Sequence, residues 1–404
     1  MDKTSGLRVS VDVGCYRHSV AVGLADGTLL DEFELSHDPV GFDLFFERID
    51  GLCERHGSTV SVAMEGYNGW ARPLDTLVRT HGYRLFNVNN LKLARFKEIF
   101  PAAAKTDRID ARKGLELFQL QDRISTARGV LQEVQGVPLE NEKLKRLTRR
   151  RRTLVDERSR VIARLQADLQ SVCPCLLAIT RDIGNLWFLN LLSHGQDLEK
   201  LARLRDKTIL GIPAIGRKFG ARIIAWQKGA RFSHDVDWVG PMIIEDARRI
   251  LQLRRAIKAI EAACKELMAE SRIATLIDTI PGFATVCSSE LAGEIGTLDR
   301  FERESSLAMY LGMANLSNDS GKVRSSKNPK HINSHAKGAM MAAVDKHRKL
   351  VPESKRYYDK KRAEGKKHNQ AIRALGRHLC RVIFSMLKHD RGYEYREQKM
   401  SNSA

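Results

Sequence analysis

The chain has 404 residues, 43% hydrophobic and 29% charged, enough for two or three domains with real cores and too apolar for wholesale disorder. No run approaches the ~18 uninterrupted apolar residues of a membrane helix. Residues 1–10 lack a signal peptide's basic start and apolar stretch, and seven scattered cysteines suit a reducing compartment, so a cytoplasmic protein is expected. Lys and Arg number 68 against 49 Asp and Glu, a net +19, and a balance this basic points to a polyanionic partner.

In chain order, residues 7–14 (LRVSVDVG) and 19–24 are short and Val-rich, and 28–35 follow the Asp26-Gly27 turn; the spacing predicts a three-strand meander. Residues 40–55 set Phe42, Leu44, Phe45, Ile49 and Leu52 on one side of a helix. A strand over 59–64, a helix around 71–79 and a strand over 83–88 follow. Hairpin-linked strands and then alternating helix and strand is the order of an α/β, RNase H-like domain.

The middle reads as helical. Ile250, Leu253, Ile257, Ile260, Cys264 and Leu267 recur at alternating intervals of three and four, a heptad seam that predicts a coiled-coil strand. Its expected partner is the helix through Leu147, Leu154, Val161 and Leu165, although Arg151 and Arg158 interrupt a strict row; pairing within one chain and between subunits both stay open. Residues 173–241 show no clear period. Cys173-Pro-Cys175 lacks a second Cys/His pair at zinc spacing and reads as structural. Residues 211–219 have P-loop-like glycine spacing without the Lys-Ser/Thr that grips phosphate.

Further on, the turn Ile280-Pro281-Gly282 leads into a small-residue helix over 284–295, an arrangement like one hairpin of a helix-hairpin-helix DNA module. A helix over 305–311 precedes a polar loop over 312–335, then basic helices to 391 and an expected mobile tail over 392–404. Charge is uneven: residues 143–164 hold 10 Lys and Arg against 2 acids, and 321–404 hold 22 against 7. Two separate nucleic-acid-facing surfaces are therefore expected, with solvated helix faces as the simpler alternative.

Four acids carry the chemistry. Asp12 lies in an apolar strand, where a lone charge costs several kcal/mol. Glu65 ends the next apolar strand, at the carboxyl edge where α/β domains place reactive groups. Asp107 and Asp110 in Lys105-Thr-Asp-Arg-Ile-Asp110 are three apart and share one helix face. Singly, Asp107 is an N-cap and Asp110 a first-turn acid favoured by the helix dipole. Together, in this order in a basic protein, they predict a cleft for two Mg²⁺ ions.

The segments VSVDVG, AMEG and KTDRIDAR, the arginine-rich helix, and then IPGFATVCSSELAGEIG, FERESSLAMYLGMA and NDSGKV resemble the transposases of insertion-sequence family 110, with their 1111 relatives and the pilin-inversion recombinases. The resemblance spans most of the chain. It implies a RuvC-like domain with a DEDD carboxylate set over 1–140, a coiled-coil region over 141–275 and a mainly α-helical C-terminal transposase domain over 276–391, with a nucleophilic serine. By motif, the DEDD residues are Asp12, Glu65, Asp107 and Asp110. The serine is Ser320 in Asp319-Ser-Gly-Lys322, after Tyr310-Leu-Gly312, with Ser317, Ser325 and Ser326 as neighbouring alternatives.

The resemblance further implies donor and target DNA, an element-encoded guide (bridge) RNA, a homodimer or homotetramer, and a bacterial, nucleoid-associated setting. Lys105, Arg149, Arg150, Arg151, Arg152, Lys322, Arg324, Lys327, Lys330 and Lys337 are the expected nucleic-acid contacts. The competing expectations are a metal-dependent Holliday-junction-type endonuclease using the four carboxylates alone, and a non-catalytic nucleic-acid scaffold.

Overall fold

The computed structural model describes residues 6–56, 59–65, 72–99, 106–121, 130–317, 326–327, 329 and 332–394. The chain divides into two compact units, Met1–Gly136 and Val137–Ala404.

In the first unit, β-branched and Leu-rich segments form Gly6–Val13 (β1), Arg17–Leu24 (β2) and Leu29–Ser36 (β3), joined as antiparallel neighbours. The helix Pro39–His56 (α1) opens on Asp38, whose carboxylate accepts the Gly41 amide at 2.8 Å. Then come Thr59–Met64 (β4), Arg72–Thr80 (α2), Arg84–Val88 (β5), Asn90–Lys97 (α3), Asp107–Gln121 (α4) and the short Leu131–Glu133 (β6). The sheet order is β3-β2-β1-β4-β5-β6, with β1, β4 and β5 parallel and β6 antiparallel to β5. The meander and the alternation after it match the sequence reading; β6 was not foreseen.

Pleating sorts the side chains of β1. Leu7, Val9 and Val11 face Phe45 and Ile49 of α1 and Leu74 and Val78 of α2, each worth roughly 1.5–3 kcal/mol when fully buried. Leu44, counted with the apolar side of α1, lies at its border and is 37% exposed. The alternate residues, Ser10 and Asp12, face α4. There Gly114 makes a close approach: a β-carbon on it would sit 2.3 Å from the Ser10 hydroxyl oxygen.

Among its described residues, the second unit is helical apart from one small strand pair. Two long helices, Leu139–Val172 (α5) and Val236–Met268 (α11), pack antiparallel. The ion pairs Arg151–Glu261, Arg249–Glu157 and Arg164–Asp246 show that orientation, residue numbers rising on one helix as they fall on the other. The seam residues Ile250, Leu253 and Ile257 share a core with Leu154, Val161 and Leu165. Thus the predicted partners meet within one chain, and Arg151, which interrupted the sequence pattern, pairs with Glu261.

The stretch without a period is a set of short helices, Pro174–Leu177 (α6), Leu186–Ser193 (α7), Leu198–Leu201 (α8), Asp206–Gly211 (α9) and Gly216–Gln227 (α10), packed on the same core. Trp187 stacks on Phe219 with centroids 4.5 Å apart. Burial pushes the Cys173 thiol up to about 12, in keeping with a structural role.

A second core gathers Arg272–Asp278 (α12), Thr285–Ile295 (α13), Glu304–Tyr310 (α14), Ser334–Leu350 (α15), Pro352–Ala363 (α16) and His368–Lys388 (α17). Between α14 and α15, Leu316–Ser317 (β7) pairs with Ser326–Lys327 (β8). α13 lies so close to α5 that a β-carbon on Gly293 would be 2.5 Å from the Lys145 amide nitrogen. The Pro281-Gly282 turn meets α15: a β-carbon on Gly282 would be 2.6 Å from the His347 amide nitrogen. Tyr393, inside the expected tail, donates its amide to the Thr279 hydroxyl at 2.8 Å.

Candidate active site

β1 and β4 run in parallel with Val11 beside Met64, so the next residues, Asp12 and Glu65, reach the same carboxyl edge of the sheet. α4 crosses the Asp12 side of β1. A helical turn advances about 5.4 Å and two strand residues about 6.6 Å. With Gly114 seated over Ser10, Asp110 one turn earlier therefore falls near Asp12. Thr106 caps this helix, its hydroxyl accepting the Ile109 amide at 3.3 Å. The capping role that a lone Asp107 would most simply fill thus belongs to its neighbour.

The four acids share one electrostatic field. Asp12 is pushed up to about 6, by burial first; the Lys97 ammonium opposes that rise, while Glu65, Asp110 and Asp107 add to it. Lys97, the last residue of α3, places its Nζ 3.1 Å from Asp110 Oδ2 and 3.8 Å from Glu65 Oε2. Among the described residues, no three His, Cys, Asp or Glu side chains stand close enough together to hold a metal ion. The donor set nonetheless fits a hard cation, being all carboxylate oxygen and already gathered on a positive charge. Lys97 was not singled out from sequence, where a lysine ending an amphipathic stretch looks like any solvated helix end.

The second predicted centre is only partly described. Ser320, Ser325, Lys105, Lys322, Arg324 and Lys330 lie outside the described residues. Ser317 is in β7, and Ser326 and Lys327 in β8. Lys337, on the first turn of α15, packs its stem over Gly312.

On α13 lies a polar network that sequence reading missed. Glu294, fully buried on α13, accepts Arg149 Nε at 2.6 Å and Nη2 at 2.9 Å, and Asn333 Nδ2 at 2.6 Å. Burial pushes this carboxyl up, but the Arg149 and Asn333 bonds outweigh it and hold it below the usual range. One turn earlier Glu290 accepts Arg152 at 2.5 Å, and there burial wins and the carboxyl is raised.

Of the four consecutive arginines expected to face nucleic acid, Arg149, Arg151 and Arg152 thus bind carboxylates of this chain, while Arg149, like Arg150, stays exposed. A signal was present: acids at i and i+4 on the otherwise small and apolar α13 match arginines at i and i+3 on α5.

The acids at the carboxyl edge of the mixed sheet, and much of the separate helical unit rich in basic residues, stand in segments that match known transposases. A DEDD transposase family model of IS110 matches residues 9–174, and one described as "Transposase IS116/IS110/IS902 family" matches residues 274–359. The chain thus carries two transposase domains of the IS110 family. It is 24% identical to the IS110 "uncharacterized 43.6 kDa protein" of Streptomyces coelicolor, over 86% of either chain. Identity is also 24% to the IS116 "uncharacterized 44.8 kDa protein" of Streptomyces clavuligerus, over 95% of each. The IS900 "uncharacterized 42 kDa protein" of Mycobacterium paratuberculosis is 31% identical over 35% of this chain and 36% of its own. Transposases act on DNA, and a DEDD domain points to use of a divalent metal. Among the described residues, no helix is long and apolar enough to cross a membrane.

Proposed function

We propose that the protein is a guide-RNA-directed DNA recombinase of RuvC-like, RNase H-type architecture, cutting and rejoining donor and target DNA through a serine-phosphodiester intermediate at Ser320. The observation that carries the reading is the common field of Asp12, Glu65, Asp107 and Asp110, four acids with the Lys97 ammonium set among them. An acidic cleft in a protein of net +19 cannot attract DNA by itself. Its purpose is to hold cations that can.

Asp12, Glu65, Asp107 and Asp110 would hold Mg²⁺, which supplies charge neutralisation for a phosphodiester under attack and lowers the pKa of a bound hydroxyl. Ser320 Oγ forms a bond to phosphorus as the bond from phosphorus to one DNA oxygen breaks. The departing DNA hydroxyl takes up a proton as the serine gives one up. Because the phosphoserine ester conserves the energy of the broken bond, a second DNA hydroxyl reverses the exchange without ATP.

Sequence choice by base pairing of a guide RNA needs backbone contacts more than base readout from the protein. The exposed Arg150 and the many basic residues of α15 to α17 suit that requirement. The active complex is a homodimer or homotetramer in this reading.

The test is to trap DNA on the denatured protein. Wild type gives a covalent adduct in Mg²⁺, Ser320→Ala gives none, and Asp12→Ala loses cleavage while still binding nucleic acid. Cleavage by wild type with no adduct would sink the serine step and leave a hydrolytic Holliday-junction-type nuclease using the four acids alone. Cleavage undiminished in Asp12→Ala would remove the carboxylates from the chemistry.

A further inference from the structure

The Lys97 ammonium lies against two of the four acids that would hold a divalent cation. It touches Asp110 Oδ2 at 3.1 Å and Glu65 Oε2 at 3.8 Å, and its side chain is 19% exposed against 12% for Asp110. It is also the cation that opposes the rise of Asp12. We infer that Lys97 is an internal counter-ion that keeps the apo cleft assembled, and that a divalent cation binds by displacing it from Glu65 and Asp110. This rests on the metal reading above and adds to it a residue that sets the affinity for the ion.

Three points support exchange over sharing. This ammonium holds its carboxylate oxygens at 3.1 and 3.8 Å, whereas Mg²⁺ demands its oxygens at about 2.0–2.1 Å. One spacing of Glu65 and Asp110 cannot serve both. The described acids are accordingly too far apart for any three to ligate an ion. Second, Lys97 closes α3, so its side chain can swing away on a flexible four-carbon stem without unwinding a helix interior. Third, the charges need it: without an ammonium, the two acids at the sheet edge and the two on α4 repel one another with no cation among them. Once released, the same ammonium stands beside the cleft as a point charge for a phosphate. The ion that displaces Lys97 thereby frees it to help receive DNA.

By thermodynamic reciprocity, deleting the ammonium must strengthen the ion's binding by as much as the ammonium opposed it. The experiment is calorimetric titration of Mn²⁺ into the full chain without nucleic acid, for wild type, Lys97→Met and Lys97→Arg, with thermal unfolding alongside. Lys97→Met is expected to bind Mn²⁺ roughly tenfold tighter than wild type and to gain more in Tm on adding it, from a lower apo Tm. Lys97→Arg, whose guanidinium can hold a carboxylate at two points, is expected to bind several-fold more weakly than wild type.

Equal or weaker binding by Lys97→Met overturns the inference; should that variant not fold, equal or tighter binding by Lys97→Arg does so. Asp12→Asn separates the two layers. Mn²⁺ binding that Asp12→Asn abolishes, but that both Lys97 variants leave unchanged, keeps the metal site and removes Lys97 from it. Binding that Asp12→Asn leaves intact, or no binding at all, overturns the metal reading itself.

Discussion

Arg149 on α5 grips the buried Glu294 on α13 through two nitrogens although 145 residues separate them. Deleting one partner of such a pair strands the other's charge, which costs roughly 3–5 kcal/mol. Arg149→Met is therefore expected to lose about 3 kcal/mol of stability in chemical denaturation. The neighbouring Arg150→Ala is expected to stay within about 0.5 kcal/mol of wild type. If Arg150 meets a phosphate, its loss lowers the slope of log K against log salt by about one. DNA-binding defects in Arg149 variants should be read only after their stability is matched.

Gly293→Ala should reverse the usual sign of a helical substitution. In an open helix the change gains about 1 kcal/mol. Here the added methyl would meet the Lys145 amide nitrogen at 2.5 Å and its Cα at 2.7 Å, backbone that only a shift of α5 against α13 can move, at about 1–3 kcal/mol. A lowered Tm is expected; a raised one would show that the two helices are not in backbone contact.

The seam between α5 and α11 lies within one chain, so its stability should not depend on protein concentration. Ile250→Ala, at a fully buried position, is expected to cost about 2–5 kcal/mol. The gap between the wild-type and variant midpoints should hold steady across a roughly fiftyfold dilution, whatever oligomer forms through other surfaces. A gap that changes on dilution would assign the seam to a second subunit.

Asp12 carries a pH signature. Its carboxyl is raised from 3.8 to about 6 in the folded protein, so between those values the folded state binds more protons than the unfolded one and stability falls as pH rises. Above about pH 6 the ionised Asp12 is a standing cost. Asp12→Asn removes it, so in metal-free buffer the variant should unfold at a higher temperature than wild type at pH 7.5. That advantage should fade as pH falls through 6 toward 4, and an advantage constant with pH would detach it from ionisation.

Much of the fold was legible because strands and amphipathic helices write their periods locally. β1, β2, β4 and α1 follow from alternation and from the Phe42–Phe45–Ile49–Leu52 stripe. Asp12 stood out because nothing local could satisfy a charge between valines. What stayed hidden was set by partners distant in sequence. The carboxylate partners of the basic run on α5 could not be read locally because Glu290 and Glu294 sit more than 130 residues away. β6 is three residues long and takes its register from β5. Helices α6 to α10 are held by a shared core, not by an internal repeat. Lys97 acquires its meaning only once α3 is laid beside α4.

Asn333 ties together the two ends of one segment. Its amide nitrogen donates to the Tyr310 carbonyl at 3.0 Å, its side chain donates to the Tyr310 hydroxyl at 2.7 Å and to Glu294, and its side-chain oxygen caps α15. The two ends of the segment between 310 and 333 are thus clasped by groups that lie outside it. With the span fixed at its neck, each doubling of the enclosed length adds only about 0.6 kcal/mol of closure entropy. A change of length in that segment should therefore leave the helices on either side of this chain folded, even where it removes the Ser320 chemistry.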